Sequence, residues 1–320
     1  MSLTTALIYL LIGFVLLVWS ADRLVAGASA LARNLGISAL VVGVTIVGFG
    51  TSAPEMLVSA LASLEGKPAL AVGNALGSNI ANIGLILGLT GIVYPMSVDR
   101  MSRRRELPFL AAVTLLTAVL MVDGALSRID GVILASGLVL FLGFMIVRGR
   151  NSVASDPSTQ ALINEISADM PVRTAAVWTL IGLVALPVSA QILVTGAVGL
   201  ANQMGVSEAV IGLTVVALGT SLPELAAAIA SAVRKEDDLC IGNILGSNLF
   251  NLLGVLGLAA LIHPMAIDPI LIWRDLPVVA LTFLMLAAMA IFAGRVGRIG
   301  AATLLTTYIV YQAAVVSYAL

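Results

Sequence analysis

Apolar residues occur in long runs along nearly the whole chain, and short polar segments separate one run from the next. A helical run of about 20 residues is long enough to cross a hydrocarbon core of roughly 30 Å. Backbone groups in lipid must find their hydrogen-bond partners within the chain, so runs this apolar predict helices. The pattern predicts an all-α polytopic membrane protein with ten transmembrane helices. Their predicted cores are 3–20 with a continuation towards 33, 38–64, 69–94, 104–122, 129–147, 174–202, 207–232, 239–262, 272–293 and 299–318.

One segment, Arg148 to Arg173, is polar enough for a long loop. It divides the chain into an N-terminal unit 1–148, a linker 149–173 and a C-terminal unit 174–320, with five predicted helices in each unit. If the N-terminus lies outside, twelve Lys and Arg residues fall at inside helix ends and three at outside ends. The positive-inside rule then predicts that both termini lie outside a cell (inner) membrane and that the linker is cytoplasmic.

The composition agrees with a membrane protein. Of the 320 residues, 60% are hydrophobic and 10% are charged, and the mean hydropathy is +1.11. An average soluble domain has about 25% charged residues. The net charge of -1 and the position of the arginines at helix ends give no reason to expect a nucleic-acid partner. Cys240 and His263 are each the only residue of their kind, which excludes an internal disulfide and any multi-cysteine metal site.

The chain contains an internal duplication. Residues 37–96 and 206–265 align without a gap at an offset of 169, with 23 identities in 60 positions. The identities are concentrated in polar residues, glycine and proline, within GTSAPE and GTSLPE and within GNALGSN and GNILGSN. Five predicted helices separate a residue from its copy, and five is odd, so the second half is predicted to be inverted relative to the first. Inverted repeats of this kind have their substrate sites near the bilayer midplane.

Each copy places one acid, Glu55 or Glu224, near the middle of a predicted helix. A carboxylate at that depth costs several kcal/mol unless it is paired, hydrated or bound to a cation. No Lys or Arg lies in the middle of the second, third, seventh or eighth predicted helix. The natural partner of the two acids is therefore a cation from solution or a proton.

Oxygen atoms surround each acid in the sequence. The prolines next to the acids remove an N–H group and push on the carbonyl four residues back, which predicts a kink and free carbonyls at Gly50 and Gly219. Hydroxyl and amide groups on the same turns and on the facing helices are supplied by Thr51, Ser52, Thr220, Ser221, Ser78, Asn82, Ser247 and Asn251. Oxygen ligands suit a hard cation such as Ca²⁺ or Na⁺, and the scarcity of His and Cys argues against zinc, copper or iron.

The chain resembles a prokaryotic sodium/calcium exchanger of the calcium:cation antiporter superfamily. GTSAPE with GNALGSNIAN, and GTSLPE with GNILGSNLFN, resemble the two alpha repeats of that family, and the likeness covers essentially the full length. It implies an antiporter that exchanges Na⁺ for Ca²⁺ by alternating access, in which the first and sixth helices slide across the repeated core. In that reading Glu55 and Glu224 hold Ca²⁺ with the backbone oxygens of Thr51 and Thr220. The implied sodium ligands are the carbonyls of Gly48 and Ala217 and the side chains of Ser52, Ser78, Ser221 and Ser247, with Asn82 and Asn251 at the centre.

The sequence leaves alternatives open. A Ca²⁺/H⁺ antiporter is one, since burial disfavours a charged carboxylate and the same glutamates can then carry protons. A potassium-dependent Na⁺/Ca²⁺ exchanger is another, although such relatives have Asp where this chain has Asn251. A passive cation channel belongs to a different class. We expect no enzymatic activity, because no GxGD signature is present, and no cofactor. The expected partners are the transported inorganic cations and the lipid bilayer, and the expected functional unit is a monomer.

Overall fold

The computed structural model describes residues 1–100, 102–152, 170–204 and 217–319, most of which are helical. The helices of the first half are α1 (Leu3–Leu35), α2 (Ala39–Thr51), α3 (Ala53–Leu64), α4 from Pro68 to Val93, α5 from Ser102 to Met121 and α6 (Arg128–Ser152). Those of the second half are α7 (Val172–Gln203), α8 (Ala217–Thr220), α9 (Leu222–Val233), α10 from Asp237 to Ile262, α11 from Leu271 to Ala293 and α12 (Arg298–Ala319).

The described helices follow the apolar runs closely. Seven of them are long and apolar enough to cross a membrane, and the bent pair of α2 and α3 makes an eighth if it is counted as one span. The predicted run 38–64 is interrupted at Ser52, where the two helices meet at 44°. Two predictions fall partly outside the described residues. Residues 205–216 hold the start of the predicted helix 207–232, and residues 153–169 hold most of the predicted linker.

Three of the central helices contain a π-helical turn that the apolar pattern does not predict. These turns are Gly43–Val47 in α2, Ala81–Leu87 in α4 and Phe250–Val255 in α10. The turns in α4 and α10 occupy equivalent positions in the two halves, and they contain Asn82 and Asn251. A π-helical turn widens the helix and redirects the side chains that follow, and such turns are frequent at functional sites.

The prediction of an all-α fold is correct for the helices but omits four two-residue strands. β1 (Met96–Ser97) pairs antiparallel with β4 (Arg295–Val296), and β2 (Ala125–Leu126) pairs antiparallel with β3 (Met265–Ala266). β3 is the sequence copy of β1, and β4 corresponds to β2, so each strand pairs with the copy of the other. These segments follow helix ends, where backbone groups need new partners, and a two-residue ladder has no sequence signal of its own.

α1 and α7 pack against each other as an antiparallel pair with very close backbones. A Cβ atom added at Gly13 would lie 2.5 Å from the backbone nitrogen of Leu193, and one added at Gly182 would lie 2.5 Å from the Cβ of Leu24. Gly182 and Leu193 are the sequence copies of Gly13 and Leu24, so the same contact occurs twice with the halves exchanged. Small residues allow this approach between helices in a membrane.

The core of the molecule lies around α4 and α10, which are the most buried spans. α6, α12 and the N-terminal part of α1 expose most of their apolar residues. α3 packs on α4 and on the π-helical turn of α10, and α9 packs on α10 and on the π-helical turn of α4. This crossed packing brings the two duplicated motifs of each half against those of the other half.

Candidate functional site

Glu55 and Glu224 lie in the first turn of α3 and α9, and both side chains are almost fully buried, with 0% and 1% of their surface exposed. Each helix begins after a break at a serine with nearly the same backbone angles, φ -84° and ψ 2° at Ser52 and φ -87° and ψ 2° at Ser221. A helix start carries a partial positive charge that favours a carboxylate in the first turn. The two halves therefore present their acids in the same local geometry.

The breaks leave different carbonyl groups engaged in the two halves. The Ser52 amide donates to the Gly48 carbonyl at 3.1 Å, whereas the Ser221 amide donates to the Leu218 carbonyl at 3.2 Å. Pro54 and Pro223 have no N–H group to offer the carbonyls of Gly50 and Gly219. The kink expected from proline is therefore present in the first half, but its bend lies at the serine, two residues after the glycine.

Hydrogen bonds join the two halves at the acids. The Ser52 hydroxyl donates to Oε1 of Glu224 at 3.2 Å. The Thr51 hydroxyl donates to Oδ1 of Asn243 at 3.1 Å and lies 3.3 Å from the Ser247 hydroxyl. These contacts link the start of α3 to α9 and α10. The GTSAPE segment of one half therefore contacts both motifs of the other half.

Several buried polar atoms at this junction have no hydrogen-bond partner among the described residues. They are both carboxylate oxygens of Glu55, Oε2 of Glu224, the Ser221 hydroxyl, and the side-chain amides of Asn82 and Asn251. A buried polar group without a partner costs about 1–3 kcal/mol, and more when it is charged. Most of these atoms are oxygens, which fits a hard cation such as Na⁺ or Ca²⁺. Within the described ranges no group of three or more His, Cys, Asp or Glu residues lies together.

The residues predicted from the sequence lie where the two halves meet. Gly48 and the side chains of Thr51, Ser52, Glu55, Ser78, Asn82, Ser221, Glu224, Ser247 and Asn251 are buried. Thr220 is half-buried and faces Glu55, and Ala217 is the first residue of α8. The crossed packing of α3 and α9 on the two π-helical turns places both asparagines on elements that contact the acid-bearing helices.

Sequence reasoning missed two asparagines that belong to this cluster. The Asn74 amide donates to the Glu55 carbonyl at 3.2 Å and to the Ser59 hydroxyl at 2.9 Å. Its copy, Asn243, accepts the hydrogen bond from Thr51. Both are the second residue of the GNxLGSN motif, and a duplicated Asn inside an apolar helix is the signal that identifies them.

A cavity of about 390 Å³ lies beside the cluster, between α7 and the starts of α3 and α9. Its wall includes Gln191, Thr195 and Val198 of α7, and it extends to Thr220. We call the side of the molecule that carries this cavity and the turn between α3 and α4 the cavity face. Gln191 and Thr195 were also missed, although two polar residues four apart in an apolar helix share one side of it.

The corresponding region of the other half is packed. Val25, Ser29 and Ala227, the copies of Val194, Val198 and Val58, are at most 3% exposed. Here α1 packs against α9. We call this side, which carries the turn between α9 and α10, the packed face.

Known proteins resemble the chain over nearly its full length. The putative antiporter CaxA of Alkalimonas amylolytica is 46% identical over 314 residues, which cover 96% of this chain and 97% of that protein. The sodium/calcium exchanger MaX1 of Methanosarcina acetivorans is 28% identical over 322 residues, which cover 89% of this chain and 91% of that protein. A solved structure of the sodium-calcium exchanger NCX_Mj, soaked with 10 mM Na⁺ and zero Ca²⁺, is 33% identical and has a TM-score of 0.85, covering 98% of this chain and 99% of that one.

The family model for the sodium/calcium exchanger protein matches residues 5–147 and 174–316, one segment in each half of the chain. The resemblance predicted from the two duplicated motifs is therefore confirmed. The chain belongs to the sodium/calcium exchanger protein family.

Proposed function

We propose that this sodium/calcium exchanger binds both transported ions at one site centred on Glu55 and Glu224. The observation that carries the proposal is the pair of buried acids that lie close together without a basic partner among the described residues, surrounded by oxygen atoms. The remaining ligands are the side chains or carbonyls of Thr51, Thr220, Ser52, Ser221, Ser78, Ser247, Asn82, Asn251, Gly48 and Ala217.

The charge of the site explains why the two ions exclude each other. Two buried carboxylates are neutralised by one Ca²⁺ or by sodium ions that share the same oxygens. An uncompensated charge in the membrane interior is costly, so the transporter changes face when the acids are neutralised. Because Ca²⁺ and Na⁺ compete for the same oxygens, the downhill movement of one drives the other uphill.

We infer that the chain forms ten transmembrane helices in two inverted repeats of five, with the units 1–148 and 174–320 joined by the linker 149–173. The exchanged pairing of β1 to β4 supports this arrangement. The reciprocal contacts of Gly13 and Gly182 support it as well. In this count α2 with α3, and α8 with α9, each belong to one broken span, and α5 is a span that begins with arginines.

Ion access alternates between the cavity face and the packed face as α1 and α7 move together across the rest of the molecule. The reciprocal glycine contacts support movement of these two helices as one body. The cavity beside Thr220 and the packed Val25 region describe one of the two end states. In the other end state α1 would move away from α9 and α7 would cover the cavity.

The arginine distribution supports an orientation with both termini outside a cell (inner) membrane and the packed face in the cytoplasm. Arg33, Arg234 and Lys235 lie on the packed face, which supports this orientation. The cavity face is then extracytoplasmic. All the residues proposed to bind ions belong to one chain, so a monomer is a complete transport unit.

Calcium flux in proteoliposomes tests the proposed coupling. We expect calcium uptake to rise with an opposing sodium gradient. It should be lost when sodium is replaced by potassium, whether or not a pH gradient is imposed. Calcium uptake that follows a pH gradient and ignores sodium would instead identify a Ca²⁺/H⁺ antiporter. Flux that does not saturate and needs no counter-ion would identify a channel. Either result would refute the proposal.

A further inference from the structure

Two ion pairs join α1 to the turn between α9 and α10 on the packed face. Nη2 of Arg234 lies 2.6 Å from Oδ1 of Asp22, and Nη1 of Arg33 lies 2.9 Å from Oε1 of Glu236. A small cavity of about 110 Å³ beneath these pairs is lined by Ser29, Arg33, Arg234 and Glu236. The pairs therefore close the packed face above the surface of α1 that is equivalent to the α7 surface lining the cavity on the other face.

The turn that receives α1 is itself held to the rest of the molecule. The backbone amide and the hydroxyl of Ser97, next to the β1–β4 ladder, both donate to Oδ2 of Asp237, at 2.9 and 2.7 Å. On the other side of the contact, α1 is bound to α7 by the close glycine contacts. The two ion pairs are thus a connection between the helix pair that is proposed to move and the part that is proposed to stay in place.

Among the residues that the structure describes, the cavity face has no equivalent connection. At the positions that correspond to Asp22 and Arg33, α7 has Gln191 and Asn202, which are neutral and form no ion pair. At the positions that correspond to Arg234 and Glu236, the α3–α4 turn has Glu65 and Lys67. Those two residues pair with each other at 2.6 Å.

We propose that Asp22 and Arg33 are gating residues. With Arg234 and Glu236 they form a latch that holds the packed face shut. Since the described residues of the cavity face form no such latch, the ion-free protein favours the conformation in which the cavity face is accessible. This inference rests on the proposed alternating-access function. It adds that the two end states differ in free energy, and that the difference arises from charged residues outside the ion site.

Paired cysteine reporters measure the two faces separately. Cys240 is the only cysteine of the chain, so Cys240→Ala provides the background. Val198→Cys reports on the cavity, and Ser29→Cys, at the equivalent position of α1, reports on the space beneath the latch. The rate of labelling by a neutral maleimide is measured in detergent without sodium or calcium. A neutral reagent is used because its local concentration does not change when a charge near the reporter is removed.

We expect the latch variant Asp22→Asn with Arg33→Gln to increase labelling of the Ser29→Cys reporter and to decrease labelling of the Val198→Cys reporter. Partly exposed ion pairs are individually weak, so the ratio of the two rates should shift by about three- to tenfold. Arg234→Gln alone, which keeps both α1 side chains, should produce a smaller shift in the same direction. The double variant Asp22→Arg with Arg234→Asp exchanges the two charges and can form the pair again. Its ratio of labelling rates should therefore lie closer to that of the background protein than the ratio of Arg234→Gln does.

Glu65→Gln is the matched control, because it breaks an ion pair in the equivalent turn that does not reach α7. It should leave both rates unchanged. Equal rates in the latch variant and the background protein would overturn the proposal, and so would a rise at both reporters, which indicates general loosening. Labelling requires no transport, so a failure of sodium-dependent calcium flux would refute the proposed function without changing what these rates say about the latch.

Discussion

The two halves of the molecule place nearly the same residues around their acids but differ in what separates the acids from the surface. On the cavity face, Gln191 and Thr195 of α7 line a space of about 390 Å³ that extends to Thr220. On the packed face, the equivalent surface of α1, around Val25, is buried against α9. The proposed ligand set is thus duplicated, whereas access to it is not.

The residues proposed to bind ions and the residues proposed to control access therefore lie in different parts of the sequence. The residues proposed to bind ions lie in the two repeated motifs, where both copies are nearly identical. The residues that distinguish the faces lie in α1, in α7 and in the turns that follow the acid-bearing helices, where the copies have diverged. Asp22 and Gln191 illustrate the point, because they occupy equivalent positions and only one of them is charged.

The largest expected effect comes from the two acids. The comparison of the halves predicts that the two acid variants lose calcium uptake to a similar extent. Glu55→Gln and Glu224→Gln should each reduce sodium-dependent calcium uptake in proteoliposomes by a factor of about 100 or more, since removing one charge from a buried charged site costs several kcal/mol. The amide preserves the shape of each side chain. Glu65→Gln, at the exposed end of α3, should behave as the unmodified protein. Substantial uptake by either acid variant would show that the site is not shared between the halves.

The comparison of α1 with α7 predicts equal loss of stability when their close contacts are disturbed. Gly13→Ala and Gly182→Ala each place a Cβ within 2.5 Å of the partner helix. Overpacking of this kind typically lowers the free energy of unfolding by about 1–3 kcal/mol. Thermal unfolding in detergent should show similar decreases for the two variants. Gly143→Ala in α6, where nothing lies within 4 Å, is the control. A decrease in only one of the two contact variants would contradict a reciprocal interface.

Much of this fold follows from the sequence alone, because its strongest signals are local. Apolar runs define the helices, and the acids stand out because a mid-membrane carboxylate needs a partner. Glu55 and Glu224 were identified for that reason. The position of the first kink followed only in part, since proline removes a hydrogen bond but the neighbouring packing decides that the bend falls at Ser52.

The features that the sequence did not predict depend on contacts between distant segments. The π-helical turns around Asn82 and Asn251 arise in helices whose apolar pattern is compatible with a regular α-helix. The strand pairs require segments some 200 or 140 residues apart to meet. Which face carries the cavity depends on how α1 and α7 sit on the core. No periodicity in either helix specifies that choice.

The serines before the prolines predict a smaller, unequal effect. Ser52 donates a hydrogen bond to Glu224, whereas the Ser221 hydroxyl has no partner among the described residues. Ser52→Ala should therefore raise the sodium concentration for half-maximal transport by about tenfold, and Ser221→Ala by about threefold, since hydrogen bonds to charged groups are stronger than neutral ones. Sodium dependence of calcium flux, with Ser38→Ala at the start of α2 as control, measures both. Equal changes would show that the bond to Glu224 contributes nothing to sodium binding.

The smallest effect is expected at a helix contact that occurs in both halves but in which the hydrogen-bond donor lies on a different helix of the pair. In the first half, the Ser59 hydroxyl of α3 donates to the Ala71 carbonyl of α4 at 3.3 Å. In the second half, the Cys240 thiol of α10 donates to the Ala228 carbonyl of α9 at 3.6 Å. These positions correspond, but a thiol is a weak donor. Ser59 also accepts a hydrogen bond from Asn74.

Cys240→Ala should therefore lower the free energy of unfolding by less than about 0.5 kcal/mol. Ser59→Ala should lower it by about 1–2 kcal/mol, because it leaves the partly buried amide of Asn74 with one acceptor fewer. The midpoint of thermal unfolding in detergent compares the two variants. Cys240→Ser, which supplies the stronger donor used in the first half, should be at least as stable as the unmodified protein. If Cys240→Ala is as damaging as Ser59→Ala, the thiol contributes to packing beyond its hydrogen bond, and the two contacts are equivalent in position but not in kind.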